Sequence, residues 1–196
     1  MINLKYDKIY NVVPIVRRLM KDYVKPGDMT LDCTIGNGND TLLLAKLVGP
    51  MGRVYGFDIQ EKAIENTKKL LKDECGIDNI ILIKDSHEYI DKYINENLDF
   101  IIYNLGYLPG GDKNIKTCAS STVKSIKKSL KLLRENGIIC VTVYPGHNGG
   151  RDEKLAIDDL FSGLDQRYFN VLKHEFINQK NNPPILYVLE KAKLKD

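Results

Sequence analysis

The chain has 196 residues, 43% of them hydrophobic and 28% charged, with a net charge of +3. That is enough to bury a substantial core in one domain spanning 1–196, and the charge permits a nucleic-acid partner without demanding one. No apolar run reaches the roughly 18 residues that a membrane span needs, and the opening MINLKYDKIYNVV has neither a secretory core nor a cleavage site, so a cytoplasmic, non-membrane protein is expected. Cys33, Cys75, Cys118 and Cys140 form no C-x-x-C pair and no ligand spacing, which reads as reduced thiols and no metal.

A helix is expected over about 8–23, ahead of the first strand MTLDCT (29–34). Next come a helix at 39–48, the strand RVYGFD (53–58), a helix at 60–75 and the strand IILIKD (80–85). A helix at 86–96 precedes LDFIIYNL (98–105), and one at 117–135 precedes GIICVTVY (137–144). A helix at 151–164 leads to YFNVLKHEF (168–176) and ILYVLEK (185–191). Alternating short apolar runs and helical stretches predict a mostly parallel sheet covered on both faces. Ile177–Pro184 is too short for a helical crossover, so the last two strands should pair antiparallel.

LDCTIGNGNDT (31–41) ends the first strand and opens the next helix. In such sheets the ligand crevice lies outside the strand C-terminal ends. Gly36 and Gly38 permit a tight turn and close approach of a ligand, and Asn39, Asp40 or Thr41 could cap the helix. A turn shaped only for geometry explains the glycines equally well. Asp58 and Asp85 shift the balance: Asp32, Asp58 and Asp85 end three successive strands at one rim. Asp58, 20 residues beyond Gly38, suits the hydroxyls of a ribose. A dinucleotide fingerprint would need glycine where Thr41 stands, and Asp32 and Asp40 disfavour a pyrophosphate at the loop. Carboxylates suit a ligand with an ammonium and a sulfonium instead, which points to S-adenosylmethionine (SAM).

These residues carry a family resemblance. Asp32-Cys33-Thr34-Ile35-Gly36-Asn37-Gly38 resembles the D-x-G-x-G-x-G motif of class I methyltransferases, with Thr34 replacing the first glycine. TIGNGNDTLLLA, NLGYLPGGDK (104–113), YPGHNGG (144–150) and NQKNNPPILYVLEK (178–191) resemble the YtqB-like "putative rRNA methylase" family. The resemblance implies an α/β, single-domain, Rossmann-like fold with a seven-stranded, mostly parallel sheet ordered 3-2-1-4-5-7-6. It implies a SAM-dependent methyltransferase that O-methylates 5-hydroxyuridine at the tRNA wobble position to 5-methoxyuridine. By position, it implies that Asp32, Thr34, Gly36, Asn37, Gly38 and Asn39 hold the methionine part, supported by Asp40 and Thr41. Asp58, Ile59 and Gln60 would serve the ribose, and Asp85, Ser86 and His87 the adenine. Asn104, Leu105 and Tyr107 would line the methyl-transfer channel.

Asn104 and Tyr107 keep the N-x-x-Y spacing of amine-methylating enzymes, although Leu105-Gly106 replaces their central prolines, which weakens an amine substrate. His147, in the glycine-rich loop after the fifth parallel strand, is proposed to orient the base or take a proton. Catalytic roles are thus expected for Asn104, Tyr107 and His147. For RNA, Arg17, Arg18 and Lys21, and Lys124, Lys127, Lys128 and Lys131, are expected to meet phosphates. Tyr6, Tyr10 and Tyr107 are candidates to stack an unpaired base of a tRNA anticodon loop. Recognition would come from the core or a homodimer. Pro183-Pro184 should set the turn into the last strand and bring Asn181 or Asn182 near the rim. The alternatives are an rRNA or small-molecule methyltransferase on the same fold and a non-catalytic SAM- or RNA-binding module.

Overall fold

A computed structural model describes residues 11–72, 74, 78–108, 110 and 115–193. Tyr6, Tyr10, Cys75 and part of the 104–113 motif lie outside these residues. Seven strands form one sheet in the order β3-β2-β1-β4-β5-β7-β6. They are β1 (Met29–Asp32), β2 (Arg53–Asp58), β3 (Ile80–Lys84), β4 (Leu98–Asn104), β5 (Leu133–Val143), β6 (Phe169–His174) and β7 (Ile185–Lys191). β7 is antiparallel to both its neighbours, β5 and β6, while β1 to β5 run parallel.

The near-continuous apolar runs arise because the sheet is covered on both faces. Along β4, Phe100 and Ile102 enter one core with Val16 and Met20 of α1 (Val13–Tyr23) and Leu44 and Val48 of α2 (Asn39–Val48). Ile101 and Tyr103 point the other way, to Ile126 and Leu130 of α5 (Ala119–Leu132) and Ile157 and Phe161 of α6 (Gly150–Ser162). The period of two in the strand thus feeds two separate cores. α3 (Glu61–Lys72) buries Ala63, Ile64 and Thr67.

Three local expectations are corrected. The helix foreseen at 86–96 is a 3-10 turn, His87–Tyr89, followed by a short α4, Ile90–Tyr93. The Ser86 hydroxyl accepts the Glu88 N–H to start the turn, and Ile94, buried and extended, ends α4. The helix foreseen to 135 stops at Leu132, because Leu133 pairs with Leu98 and Arg134 turns to Asp99 and Asp28. None of Asn39, Asp40 and Thr41 caps α2: Gly38 occupies that position in a left-handed conformation without a side-chain cap.

Candidate cofactor and acceptor site

A cleft of about 880 Å³ opens beyond the C-terminal ends of the parallel strands. Its wall includes Thr34, Gly36, Asn37, Asn39, Asp40, Asp58, Ile59, Gln60, Asp85, Ser86, His87, Asn104 and Leu105, so most of the expected cofactor residues share one site. Asp32, Gly38 and Thr41 stand behind that wall. Asp32 is 1% exposed; its Oδ2 accepts the Thr41 hydroxyl at 2.6 Å and its Oδ1 the Thr34 N–H at 3.1 Å. Gly38 has φ +79°, and a Cβ there would lie 2.6 Å from Thr67 Oγ1, so only glycine lets α2 begin against α3.

Burial pushes the Asp32 carboxyl up to about 7; the Thr41 bond holds it back, and the neighbouring Asp40 charge raises it again. Burial also raises Asp58, whose Oδ2 accepts from Gly36 N at 3.0 Å and Oδ1 from Gln60 N at 2.9 Å. Asp58 therefore ties the glycine loop to the end of β2. The hydroxyl of Tyr93, donating at 2.7 Å, lowers Asp85, which also accepts from Ser86 N. His87 is buried, and desolvation depresses it to about 4, so its imidazole is neutral near pH 7.

Across the cleft, Asn104 Nδ2 donates to Asp40 Oδ2 at 2.9 Å, and Arg17 Nε donates to Asp40 Oδ1 at 3.1 Å. A carboxylate can only accept, so the amide nitrogen of Asn104 must face Asp40 and its carbonyl oxygen is turned away from it. The loop after β4 is then held from outside. Gly106 N donates to Thr117 Oγ1 at 2.8 Å, and that hydroxyl donates to Glu153 Oε2 at 3.0 Å. Glu153 is fully buried and also accepts from the Thr122 hydroxyl at 2.5 Å.

His147 sits between two glycines: a Cβ at Gly106 would lie 3.4 Å from its Nε2 and one at Gly150 3.1 Å from its Cε1. Its ring meets Tyr107 edge-on at 6.1 Å, so Asn104, Tyr107 and His147 all line the cleft. Nδ1 lies 3.0 Å from the Asn148 carbonyl, which only accepts. That contact places the proton on Nδ1, and the buried Nε2 has no hydrogen-bond partner among the described residues.

Sequence reasoning missed Glu153, although a visible signal existed: it shares the spacing of Ile157 and Phe161, a charge on the apolar stripe of α6. Arg17, expected to meet RNA phosphate, lines the cleft and pairs with Asp40. Asn182 reaches the rim as expected. Of the predicted phosphate-binding lysines, Lys124 pairs with Glu88 at 3.2 Å and Lys128 with Asp91 at 2.6 Å, which ties both to the segment before β4. Arg18, Lys21, Lys127 and Lys131 are exposed. Among the described residues no His/Cys/Asp/Glu cluster could hold a metal, and no helix is long and apolar enough to cross a membrane.

This sheet order, with a glycine loop after β1 and carboxylates closing β1 and β2 and just beyond β3, defines a class I methyltransferase, a SAM-dependent enzyme. The family described as "Putative rRNA methylase" matches residues 54–190, and the chain belongs to it. A structure described as a "putative rRNA-methylase" from Clostridium thermocellum is 46% identical, covers 96% of this chain and 100% of its own, and superposes with a TM-score of 0.91. A "putative methyltransferase" from Streptococcus mutans, solved with S-adenosylhomocysteine (SAH), is 34% identical over 96% of this chain and 100% of its own, with a TM-score of 0.84. The chloroplastic tRNA (mnm(5)s(2)U34)-methyltransferase of Arabidopsis thaliana is 34% identical over 178 residues, 86% of this chain. The chain spans 65% of the length of that relative. The cleft fits the cofactor: bare backbone at Gly36, and acceptors Asp40, Asp58 and Asp85 on the wall for the ammonium and hydroxyl donors of SAM.

Proposed function

We propose that the protein methylates the C5 substituent of the wobble uridine of tRNA, and that the acceptor is the nitrogen of a 5-aminomethyl group. The observation that carries this reading is the Asn104–Asp40 bond of 2.9 Å. It leaves the Asn104 carbonyl oxygen to accept from the substrate. An amine keeps N–H donors for that oxygen while its lone pair attacks, whereas an ionised hydroxyl has none left. The N-x-x-Y spacing of Asn104 and Tyr107 fits an amine acceptor, although Leu105-Gly106 stands where amine-methylating enzymes have two prolines. The Arabidopsis relative is named for a 5-methylaminomethyl product at position 34.

The bound cofactor supplies an electrophilic methyl carbon on its sulfonium. The chain's residues do the rest. An aminomethyl group is an ammonium near neutrality and must lose a proton before it can attack. His147, whose ring lines the cleft beside Tyr107, takes it. Tyr107, braced edge-on by His147, stacks the base, and Asn104 holds the nitrogen in line. The amine nitrogen then bonds the methyl carbon as the carbon–sulfur bond breaks. Asp40 serves the methionyl end, Asp58 the ribose and Asp85 the adenine, while Asp32 behind the wall braces Thr34 and Thr41. Arg18, Lys21, Lys127 and Lys131 meet RNA phosphates.

O-methylation of 5-hydroxyuridine, the activity implied by the sequence resemblance, is the second reading: the same His147 would take the hydroxyl proton. Incubation with SAM and tRNA bearing either 5-aminomethyl- or 5-hydroxyuridine at position 34, followed by nucleoside mass spectrometry, separates the two. The expected result is one added methyl on the aminomethyl nucleoside. Methylation of the hydroxyuridine alone reverses the assignment, and methylation of neither refutes a wobble-uridine acceptor.

A further inference from the structure

The NNPP motif (181–184) stands at the rim of the cleft without a part in cofactor binding or proton transfer. Its place is set by β7, which runs antiparallel to β5 and begins with Ile185 beside Val143, where β5 ends. The residues just before β7 therefore reach the active rim, and Asn182 lines the cleft with Tyr107 and His147. Pro183 and Pro184 fix φ at the entry to the strand. Ahead of them, Asn181 and Asn182 have φ of +66° and +53°, two successive left-handed positions on residues that carry a Cβ. A residue before proline is normally extended, which makes Asn182 the more unusual of the two. Their carbonyl oxygens pack against Gly146, where a Cβ would lie 3.7 Å and 3.5 Å from them, so this turn rests on the loop that carries His147.

Asparagine tolerates a left-handed position in part because its short amide can bond the local backbone. Here neither amide has a hydrogen-bond partner among the described residues, and both side chains are exposed. Glycine would hold the same angles with less strain, so the turn does not use the amide of Asn182. We propose that this amide grips the acceptor base of the RNA by its hydrogen-bonding edge. An amide sets an N–H donor beside a carbonyl acceptor, the complement of a uracil carbonyl and the ring N3–H next to it. Tyr107 stacks the ring, Asn104 holds the substituent on C5, and Asn182 takes the edge across the ring. Contact on the face and on two edges stops the base from turning in its plane and keeps the acceptor nitrogen in line with the methyl group.

This inference rests on the wobble-uridine reading, and the test separates the two. Synthetic anticodon stem-loop RNA carries 5-aminomethyluridine at position 34, with or without a methyl group on N3. Its kcat/KM for methylation is measured with the parent and with Asn182→Gly, which suits the left-handed backbone and removes the amide. Asn182→Gly should lose about tenfold or more on the unblocked RNA, as expected for two neutral hydrogen bonds. Its SAH affinity and melting temperature should be no lower than the parent's. Asn181→Gly should match the parent in all three. The N3 methyl should cost the parent about tenfold or more and cost Asn182→Gly little, because the contact it blocks is already gone. An asparagine that only shaped the turn would leave that cost equal in both proteins. Equal costs, parent-like activity of Asn182→Gly, a loss matched by Asn181→Gly, or a fall in SAH affinity each overturns the proposal. If the parent methylates only a 5-hydroxyuridine stem-loop, the amine reading falls, and the same comparison on that nucleoside decides the role of Asn182. Methylation of neither nucleoside removes both.

Discussion

Asp32→Asn should stabilise the fold in alkaline solution while harming the cofactor site. The Asp32 carboxyl is fully buried and titrates at about 7, against 3.8 for the unfolded chain. Between those values the folded state holds a proton that the unfolded state has released. Stability contributed by the protonated form is complete below pH 4 and is lost as pH rises through 7. A shift of about 3 units at about 1.36 kcal/mol each makes the ionised carboxylate cost about 4 kcal/mol at pH 8. Asparagine removes that charge and keeps the acceptor for Thr34 N, but the Thr41 hydroxyl must turn from donor to acceptor, a loss of about 1 kcal/mol. The net gain is about 2–3 kcal/mol at pH 8, or about 5–10 °C in Tm for a chain of this size, with little or no gain at pH 4. Melting curves of both proteins by circular dichroism from pH 4 to 9 measure it. A pH-independent difference, or an Asp32→Asn protein that melts lower at pH 8, would refute the reasoning.

The same carboxyl predicts proton release on cofactor binding. A cationic ligand favours the ionised form, so SAM affinity should fall as pH drops below 7, by at most about tenfold per unit, and calorimetric enthalpies should depend on the buffer. Gly38→Ala must adopt φ +79° and meet Thr67; it should destabilise the protein by about 2–5 kcal/mol, read by urea unfolding, with Thr67→Ala restoring part of the loss. Gly106→Ala presses a methyl toward His147 Nε2 at φ +135°, and single-turnover assays should show slower methyl transfer with SAH affinity intact. Glu153→Gln replaces one acceptor oxygen with a donor facing the Thr117 or Thr122 hydroxyl; turnover on tRNA should fall more than KM for SAM changes.

The centre of the sheet was legible because β1, β2, β4 and β5 are buried on both faces. Runs such as IIYN and CVTV have no polar alternation to mislead, and each is followed by a rim loop rich in glycine. The shared rim position of the three aspartates was legible for the same reason: each closes or directly follows an apolar strand. Their separate roles were not. Nothing local shows that Asp32 faces Thr41 while Asp58 binds Gly36 N, since those bonds depend on how α2 and β2 pack. The pairing of Arg17 was not legible, because a basic helix face looks alike whether it meets solvent or a cleft. Its partner Asp40 lies 23 positions away. The short α4 was missed because the apolar spacing of 86–96 fits a helix, and only the sheet contact that draws Ile94 into the core breaks it.

β7 follows β6 along the chain yet lies inside it in the sheet, between β5 and β6. During synthesis β6 therefore leaves the ribosome before β7, its one neighbour in the sheet, can receive it. Its place at the edge is reserved by residues 185–191, which must insert against β5 through six residue pairs, Ile138–Glu190 to Val143–Ile185. Until they do, the apolar flank of β5 is an open template for any extended chain nearby. The segment that completes the sheet therefore also shields the nascent chain from aggregation. A nick in the turn before β7 would expose that flank even with every cofactor residue already in place.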